Sequence, residues 1–210
     1  MRRLLTVLAV ASLAVAPSFA DKVSITGPIG PDPPSICDAI ASNLVANCGF
    51  ETGDFTDWNT SNLIFTGVVG SGFDGLDPNS GTFWAALGNA GSDGIISQTL
   101  STVSGQTYTI SFYFGSDGGT PNHFVASFGS NVLFSTTDEP GHGYQLYSFT
   151  EVATSVSTVL QFNERNDPSY LALDDISVVA STPEPSSILL LLTVVLLGAV
   201  RFLKRAQADC

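Results

Sequence analysis

Positively charged side chains are scarce in this chain, and between its two ends they are almost absent. The 210 residues contain seven Lys and Arg against nineteen Asp and Glu. Residues 23–180 hold sixteen acidic side chains and one basic side chain, Arg165, which gives a formal charge of −15. Such a surface repels phosphate backbones, so nucleic acid is excluded as a partner. One arginine cannot neutralise sixteen carboxylates, and carboxylate oxygens are ligands for hard cations. Calcium is therefore the natural candidate for any cluster of these side chains.

Cysteine is also scarce, with three in the chain. Cys37 and Cys48 lie eleven positions apart between the two ends, and Cys210 is the last residue of the sequence. Without nearby His partners, this spacing disfavours a zinc site. In an oxidising compartment Cys37 and Cys48 would pair in a disulfide, and two free thiols are the alternative.

Long apolar runs occur only at the two ends. Arg2 and Arg3 precede an apolar run over residues 4–15, and small residues follow up to Ala20. This pattern predicts a secretory signal peptide over residues 1–20, cleaved after Ala20 or alternatively after Ala16. An N-terminal anchor is disfavoured because the run is only about a dozen residues long. Residues 21–43 then form a proline-rich leader.

The C-terminal tail has three consecutive parts. A linker at 181–187 contains Pro183, Glu184 and Pro185, an apolar stretch covers 188–200, and a basic stop follows at Arg201, Lys204 and Arg205. We expect a single transmembrane helix over 188–205, with its C-terminus in the cytoplasm by the positive-inside rule. A buried C-terminal helix is the alternative, but the stretch lacks the polar stripe of an amphipathic helix.

From Thr182 to Arg205 the tail resembles the PEP-CTERM sorting signal of Gram-negative bacteria. The resemblance implies a precursor anchored in the inner membrane and an exosortase-type enzyme that cuts near Pro183-Glu184-Pro185. It also implies delivery to the cell envelope, the surface or the extracellular matrix, linked to extracellular polysaccharide.

The region between the ends shows the alternation of β-strands and no helical periodicity. Apolar side chains recur at every second position in several short runs, which glycine-rich breaks separate. The clearest runs are Tyr108, Ile110, Phe112 and Phe114; Phe124, Ala126 and Phe128; and Leu160 and Phe162. The pattern predicts an all-β fold, an antiparallel jelly-roll β-sandwich over residues 44–180. A right-handed β-helix is disfavoured because no fixed short repeat is present.

The first and last segments of this region resemble galactose-binding-like jelly rolls, which include several families of carbohydrate-binding modules. The opening segment runs from Asn43 through Cys48-Gly49-Phe50-Glu51 to Trp58, and the closing segment is Tyr170–Val178 with an Asp-Asp doublet. Cys48 stands where the pattern usually has glycine, as a disulfide to Cys37 would explain. The resemblance implies a structural calcium held by Glu51 and Asp174.

Strict alternation places Asp174 on one face with Ala172, Ile176 and Val178, and Asp175 on the other face. A buried carboxylate needs a partner. Backbone N–H donors, or pairing with Arg165, are the alternatives to calcium.

Exposed aromatic rings are what a sugar-binding face requires, and Tyr113 is the best candidate because it faces away from Phe112 and Phe114. Trp58 and Trp84 are expected in the core, and Tyr147 shares a face with Phe149. No nucleophile elbow is present, and no pair of carboxylates stands out as catalytic. We therefore expect a non-enzymatic exported protein whose module binds carbohydrate. A structural matrix protein without a specific ligand and a polysaccharide hydrolase are the alternatives.

Overall fold

The computed structural model describes residues 34–181. The predicted signal peptide, most of the leader, the Pro183-Glu184-Pro185 motif, the predicted membrane helix at 188–205 and its basic stop lie outside these residues. Among the residues that are described, none belongs to a helix with the length and hydropathy needed to cross a membrane.

Residues 34–181 form one short 3-10 turn, Ile36–Ala39, followed by ten β-strands. The strands are β1 (Asn59–Ser61), β2 (Gly67–Gly70), β3 (Phe83–Leu87), β4 (Gly94–Ser101), β5 (Thr107–Ser116), β6 (Asn122–Phe128), β7 (Asn131–Thr137), β8 (His142–Val152), β9 (Ser157–Asn166) and β10 (Leu171–Ala180). The prediction of an all-β fold is therefore confirmed.

The strands make two five-stranded antiparallel sheets, each named here after its central strand. The β9 sheet has the order β1-β4-β9-β6-β7, and the β10 sheet has the order β2-β3-β10-β5-β8. The pairings are nested, because β6 pairs with β7, β5 with β8, β4 with β9 and β3 with β10. This nesting is the connectivity of a hairpin rolled into two sheets, a jelly roll.

The interior between the sheets is filled by the alternating side chains that the sequence pattern singles out. Phe112 on β5, Phe124 on β6 and Phe162 on β9 are each fully buried. The ring of Phe112 lies 5.4 Å from that of Phe162 and 6.0 Å from that of Phe124, measured between centroids. Rings at these separations contribute about 0.5–1.5 kcal/mol per pair beyond the area they bury. The predicted inner faces of β5, β6 and β9 are confirmed.

The N-terminal part of the described chain runs along β10. The Leu44 amide donates to the Val178 carbonyl at 2.9 Å. Cys37 and Cys48 are both buried and are joined in a disulfide, with their Cα atoms 6.1 Å apart. The described end of the proline-rich leader thus packs against the last strand.

The strands define two ends of the sandwich. One end is formed by loops 102–106, 129–130 and 153–156. We call it the exit end because the described chain ends there, at Ser181. There the Ser181 amide donates to the Thr107 carbonyl at 2.9 Å. The far end is formed by loops 62–66, 88–93, 117–121, 138–141 and 167–170.

Candidate functional site

A β-bulge in β10 decides where the Asp-Asp doublet points. The pairing of β10 with β5 shifts register between Asp174 and Ser177, and Asp175 has a φ of 50°. Leu171 and Leu173 face the interior before the bulge, while Ile176 and Val178 face it afterwards. Asp174 therefore shares the outer face with Ala172, and the expectation that it lies on the face of Ile176 and Val178 is wrong. The extra residue of the bulge resets the alternation.

Asp174 is fully buried, although it lies outside the sandwich interior. One carboxylate oxygen accepts the backbone N–H groups of Asn79 and Ser80, at 2.9 and 3.4 Å. The other oxygen accepts the N–H of Asp175 at 2.8 Å. Burial, together with the charge of Asp175, raises the pKa of Asp174 to about 8. Backbone donors thus hold this group, and Arg165 instead forms a two-point ion pair with Asp167.

Asp175 points to the same loop as Asp174. Its carboxylate accepts the Ser80 hydroxyl at 2.8 Å and the Asn79 side-chain amide at 2.7 Å. It also accepts the Ser35 hydroxyl and the Cys37 amide. Sequence reasoning assigned Asp175 to the opposite side. The doublet itself was a signal, because strict alternation would have driven one of two neighbouring carboxylates into the apolar interior.

Glu51 is held by the same loop, three residues further along. Its carboxylate accepts the N–H groups of Thr82 at 2.9 Å and of Phe83 at 3.4 Å. Burial raises the pKa of Glu51, and the charges of Asp38 and Asp175 act in the same direction. Gly81 makes the close approach possible, since its φ is +70° and a Cβ there would lie 2.1 Å from the Glu51 carboxylate.

The acidic group formed by Glu51, Asp174 and Asp175 matches calcium in ligand type and in charge. Carboxylate and hydroxyl oxygens are the ligands that calcium prefers. The three carboxylates do not all come within 4.8 Å of one another. The group that does so among residues 34–181 is Cys37, Asp38 and Cys48, whose sulfurs are committed to the disulfide. The structure therefore brings Glu51 and Asp174 to one loop without closing them into a single ligand set.

Tyr113 lies on the outer face of the β10 sheet. It pairs with Asp174 on one side and with Leu146 of β8 on the other. Its ring is half-buried, and 56% of Leu146 is exposed. Toward the exit end this face carries hydroxyl side chains in two further cross-strand rows: Ser177, Ser111 and Ser148, then Thr109 and Thr150. Ser177 is buried and its hydroxyl bonds to that of Ser111 at 2.7 Å. Ser148 and Thr150 are exposed, so Tyr113 borders a hydroxyl-lined surface that is open on the β8 side.

A second apolar cluster lies outside the β10 sheet. It consists of Trp84, Ala86 and Ala172, with Val69, Leu76, Tyr144 and Tyr170 packed against them. Trp84 is buried as expected, but in this outer cluster, whereas Trp58 joins the interior core. Within residues 34–181, the Trp84 indole N–H and the Tyr144 hydroxyl are buried without a hydrogen-bond partner. Burial raises the pKa of Tyr144, and the charges of Asp174 and Asp175 add to the effect.

The far end carries a separate polar group that sequence reasoning missed. Glu164 on β9 is fully buried and accepts the Thr66 hydroxyl at 2.5 Å and the Asn89 amide at 3.2 Å. Burial raises the pKa of Glu164 to about 7. On the outer side of the same sheet, His123 lies 3.0 Å from Asp93. The signal was present, since Glu164 continues the inward alternation of Leu160 and Phe162.

Residues 181–205 match the PEP-CTERM protein-sorting motif. This chain carries a PEP-CTERM sorting signal. The sorting signal begins at Ser181, where the described sandwich ends, so the folded body directly precedes it. No curated protein matches the chain in sequence.

The body that precedes the sorting signal is similar in structure to carbohydrate-binding modules. TmCBM61 in complex with β-1,4-galactotriose superposes with a TM-score of 0.52 at 17% identity, covering 67% of this chain and all of that one. A xylan-binding domain from CBM 22 gives 0.50 at 14% identity, covering 67% and 97%. The CBM22-1–GH10 modules of Clostridium thermocellum xylanase 10B, complexed with xylohexaose, give 0.50 at 15% identity, covering 68% and 29%. At such identities the likeness shows the fold alone.

Proposed function

We propose that this chain is an exported, non-catalytic carbohydrate-binding protein that is sorted by its PEP-CTERM signal. Residues 1–20 direct export, and residues 188–205 hold the precursor in the inner membrane with the basic stop on the cytoplasmic side. An exosortase-type enzyme then cuts near Pro183-Glu184-Pro185 and releases the protein to the envelope, the surface or the extracellular matrix. The motif match at 181–205 supports this route.

The observation that carries carbohydrate binding is the half-buried Tyr113 ring beside a hydroxyl-lined face. The C–H face of a sugar ring packs on a flat aromatic ring, and serine and threonine hydroxyls can bond its hydroxyl groups. The outer face of the β9 sheet offers no such combination within the described residues, because no Phe, Trp or Tyr points outward from it. The β10 sheet is therefore the better candidate.

Affinity electrophoresis against soluble polysaccharides tests this proposal, with galactan and xylan among them. We expect the wild-type chain to be retarded by at least one polysaccharide. Tyr113→Ala should bind at least about fivefold more weakly, since a lost ring contact costs about 1 kcal/mol or more. Phe65→Ala is the matched control, because Phe65 is 61% exposed but lies in a far-end loop. Equal retardation of wild type and Tyr113→Ala would exclude this face.

The same protein sample distinguishes the two alternatives, a structural matrix protein and a polysaccharide hydrolase. A structural matrix protein would self-associate, with calcium present, and bind no polysaccharide. A hydrolase would release reducing sugar. Glu164 has a pKa that would suit a general acid, but its side chain is fully buried and cannot reach a polymer. This burial argues against catalysis by the carboxyl group whose pKa is best suited to it.

We propose further that a structural calcium stabilises the sandwich at Glu51 and Asp174. The support is an acidic group whose described contacts are all neutral donors. Thermal unfolding in calcium and in EDTA tests it, because an ion that binds only the folded state at 100 times its Kd adds about 2.7 kcal/mol. An unchanged Tm in calcium would mean that the N–H donors alone hold these carboxylates.

Sorting itself is tested by replacing Pro183 and Pro185 together with alanine. Release of the protein from cells is compared between this variant and wild type. We expect the variant to remain with the membrane fraction, and equal release would remove exosortase processing from the proposal.

A further inference from the structure

We propose that the exit end of the sandwich docks onto the surface of the lipid bilayer that holds the precursor. The inference rests on the proposed function, since it requires the apolar stretch at 188–200 to enter that bilayer. It adds a second membrane contact, made by the folded domain itself.

The exit end presents isolated valine side chains on adjacent loops. Val103 in loop 102–106 is 63% exposed, Val156 in loop 153–156 is 73% exposed, and Val132 beside turn 129–130 is 63% exposed. Loops 102–106 and 153–156 are joined by a hydrogen bond, because the Thr102 amide donates to the Val156 carbonyl at 3.0 Å. Val152 and Val159 are also exposed, but strand alternation points them to the outer faces of opposite sheets. The other three side chains, Val103, Val132 and Val156, are called here the valine tip and give the exit end its apolar contact points.

The charge of the domain is distributed away from the valine tip. Fifteen acidic residues lie in residues 34–181. Among the exit-end segments 101–107, 128–132, 151–158 and 179–181, Glu151 is the one charged residue, and it accepts a hydrogen bond from Asn131 at 2.9 Å. The far-end loops hold Asp93, Asp117, Asp138, Glu139 and Asp167. An anionic lipid surface repels the far end and tolerates the exit end.

The length of chain between Ser181 and the apolar stretch fixes which end faces the membrane. Residues 182–187 are six in number, so the span from Ser181 to Ile188 is at most about 20–25 Å. The headgroup layer takes up part of that reach. The ten residues of β10 separate the two ends of the domain by about 33 Å. The far end therefore cannot face the same bilayer end-on, because Ser181 would then lie about 33 Å from it, beyond the reach of the linker.

Tethering favours lipid over a second copy as the occupant of the valine tip. A short linker raises the effective concentration of the tip at its own bilayer to the millimolar range, so a weak interfacial contact is enough. A stable dimer needs about 800 Å² from each partner, which the three side chains of the valine tip do not provide.

The test uses the full chain, reconstituted into vesicles of phosphatidylethanolamine and phosphatidylglycerol. A Cys210→Ser background carries one environment-sensitive fluorophore, either at Thr154→Cys in the exit end or at Ser92→Cys in the far end. Both positions are exposed in loops. Lipids with a nitroxide near the headgroup quench a probe that touches the bilayer. We expect at least threefold stronger quenching at position 154 than at 92, and loss of about half of it or more in Val103→Ser/Val132→Ser/Val156→Ser.

The same samples separate the two proposals. Chain that fails to sediment with vesicles overturns the membrane anchor, and the docking proposal with it. Chain that sediments but is quenched equally weakly at 154 and 92 keeps the anchor and overturns docking. Energy transfer between probes at 154, without quenching by lipid, would assign the valine tip to contact between copies and also overturn docking. Equal quenching at 154 in wild type and in the triple serine variant would show that proximity alone, without the valines, explains the signal.

Discussion

Glu164 gives the stability of this domain a pH dependence that a single substitution should remove. Its carboxyl is fully buried beneath Thr66 and Asn89, and burial raises its pKa from an ordinary value of 4.5 to about 7. The folded state therefore holds this proton more tightly than the unfolded chain. The resulting contribution of Glu164 to the free energy of unfolding is fully present below pH 4.5 and is lost as the pH rises through 7. The rise in the pKa of Glu164 from 4.5 to about 7 corresponds to about 3 kcal/mol in the free energy of unfolding.

Glu164→Gln isolates this contribution. Glutamine keeps the shape and the neutral charge of the protonated acid, so the variant should lack the decline between pH 4.5 and 7. The quantity to measure is the difference in unfolding free energy between the variant and wild type, from urea titrations of tryptophan fluorescence at pH steps from 4 to 8. Taking the difference cancels the other titrating groups, including Asp174, whose pKa is also raised. The difference should move by about 3 kcal/mol in favour of the variant across that range.

Val125→Ala is the control for this experiment. Val125 lies on the outer face of β6, and its replacement changes no titratable group. The difference in unfolding free energy between this variant and wild type should stay flat over the same pH range. A flat difference for Glu164→Gln as well would refute the argument, because it would mean that water or a rearrangement of the Thr66 loop solvates the ionised carboxylate.

Three further predictions concern stability and use the urea midpoint as their measurement. Replacing Cys37 and Cys48 together with serine should cost about 3 kcal/mol, and a reductant that leaves the wild-type midpoint unmoved would contradict this. Phe162→Ala should cost about 3–5 kcal/mol because it empties the space between Phe112 and Phe124, whereas the outward Val125→Ala should cost well under 1 kcal/mol. Ser80→Ala should cost about 1–2 kcal/mol, since it removes a hydroxyl donor to Asp175. Ser148→Ala should be neutral, because this hydroxyl is exposed and makes no hydrogen bond to the residues that the structure describes.

The interior of the sandwich could be predicted from the sequence because its signal is local. Phe112, Phe124 and Phe162 each sit in a run with a period of two, and burial of one face follows from that period alone. The same rule would have placed Glu164 inside, next to Phe162, had the run been extended by two residues. The disulfide between Cys37 and Cys48 could also be predicted locally, from their short spacing and from the oxidising compartment expected for an exported protein.

The acidic group could not be predicted in the same way because its geometry depends on contacts across most of the chain. Asn79 and Ser80 lie about ninety-five positions before Asp174 and Asp175, and no local pattern connects them. The bulge at Asp175 also breaks the period on which the prediction relied. Trp84 shows the same limit, since its burial was expected but the outer cluster that buries it depends on loop 71–82.

The place of β10 in the fold sets the order in which an exported chain can mature. This strand is the last to be synthesised, yet it lies at the centre of its sheet, between β3 and β5. Until residue 180 has crossed the membrane, the β10 sheet remains split in two, with unpaired edges on both halves. Only seven residues, 181–187, then separate residue 180 from the start of the apolar stretch. In the proposed route, where the apolar stretch stops translocation, closure of the domain and arrest of translocation become nearly simultaneous. The β10 sheet is then incomplete for almost the whole of export.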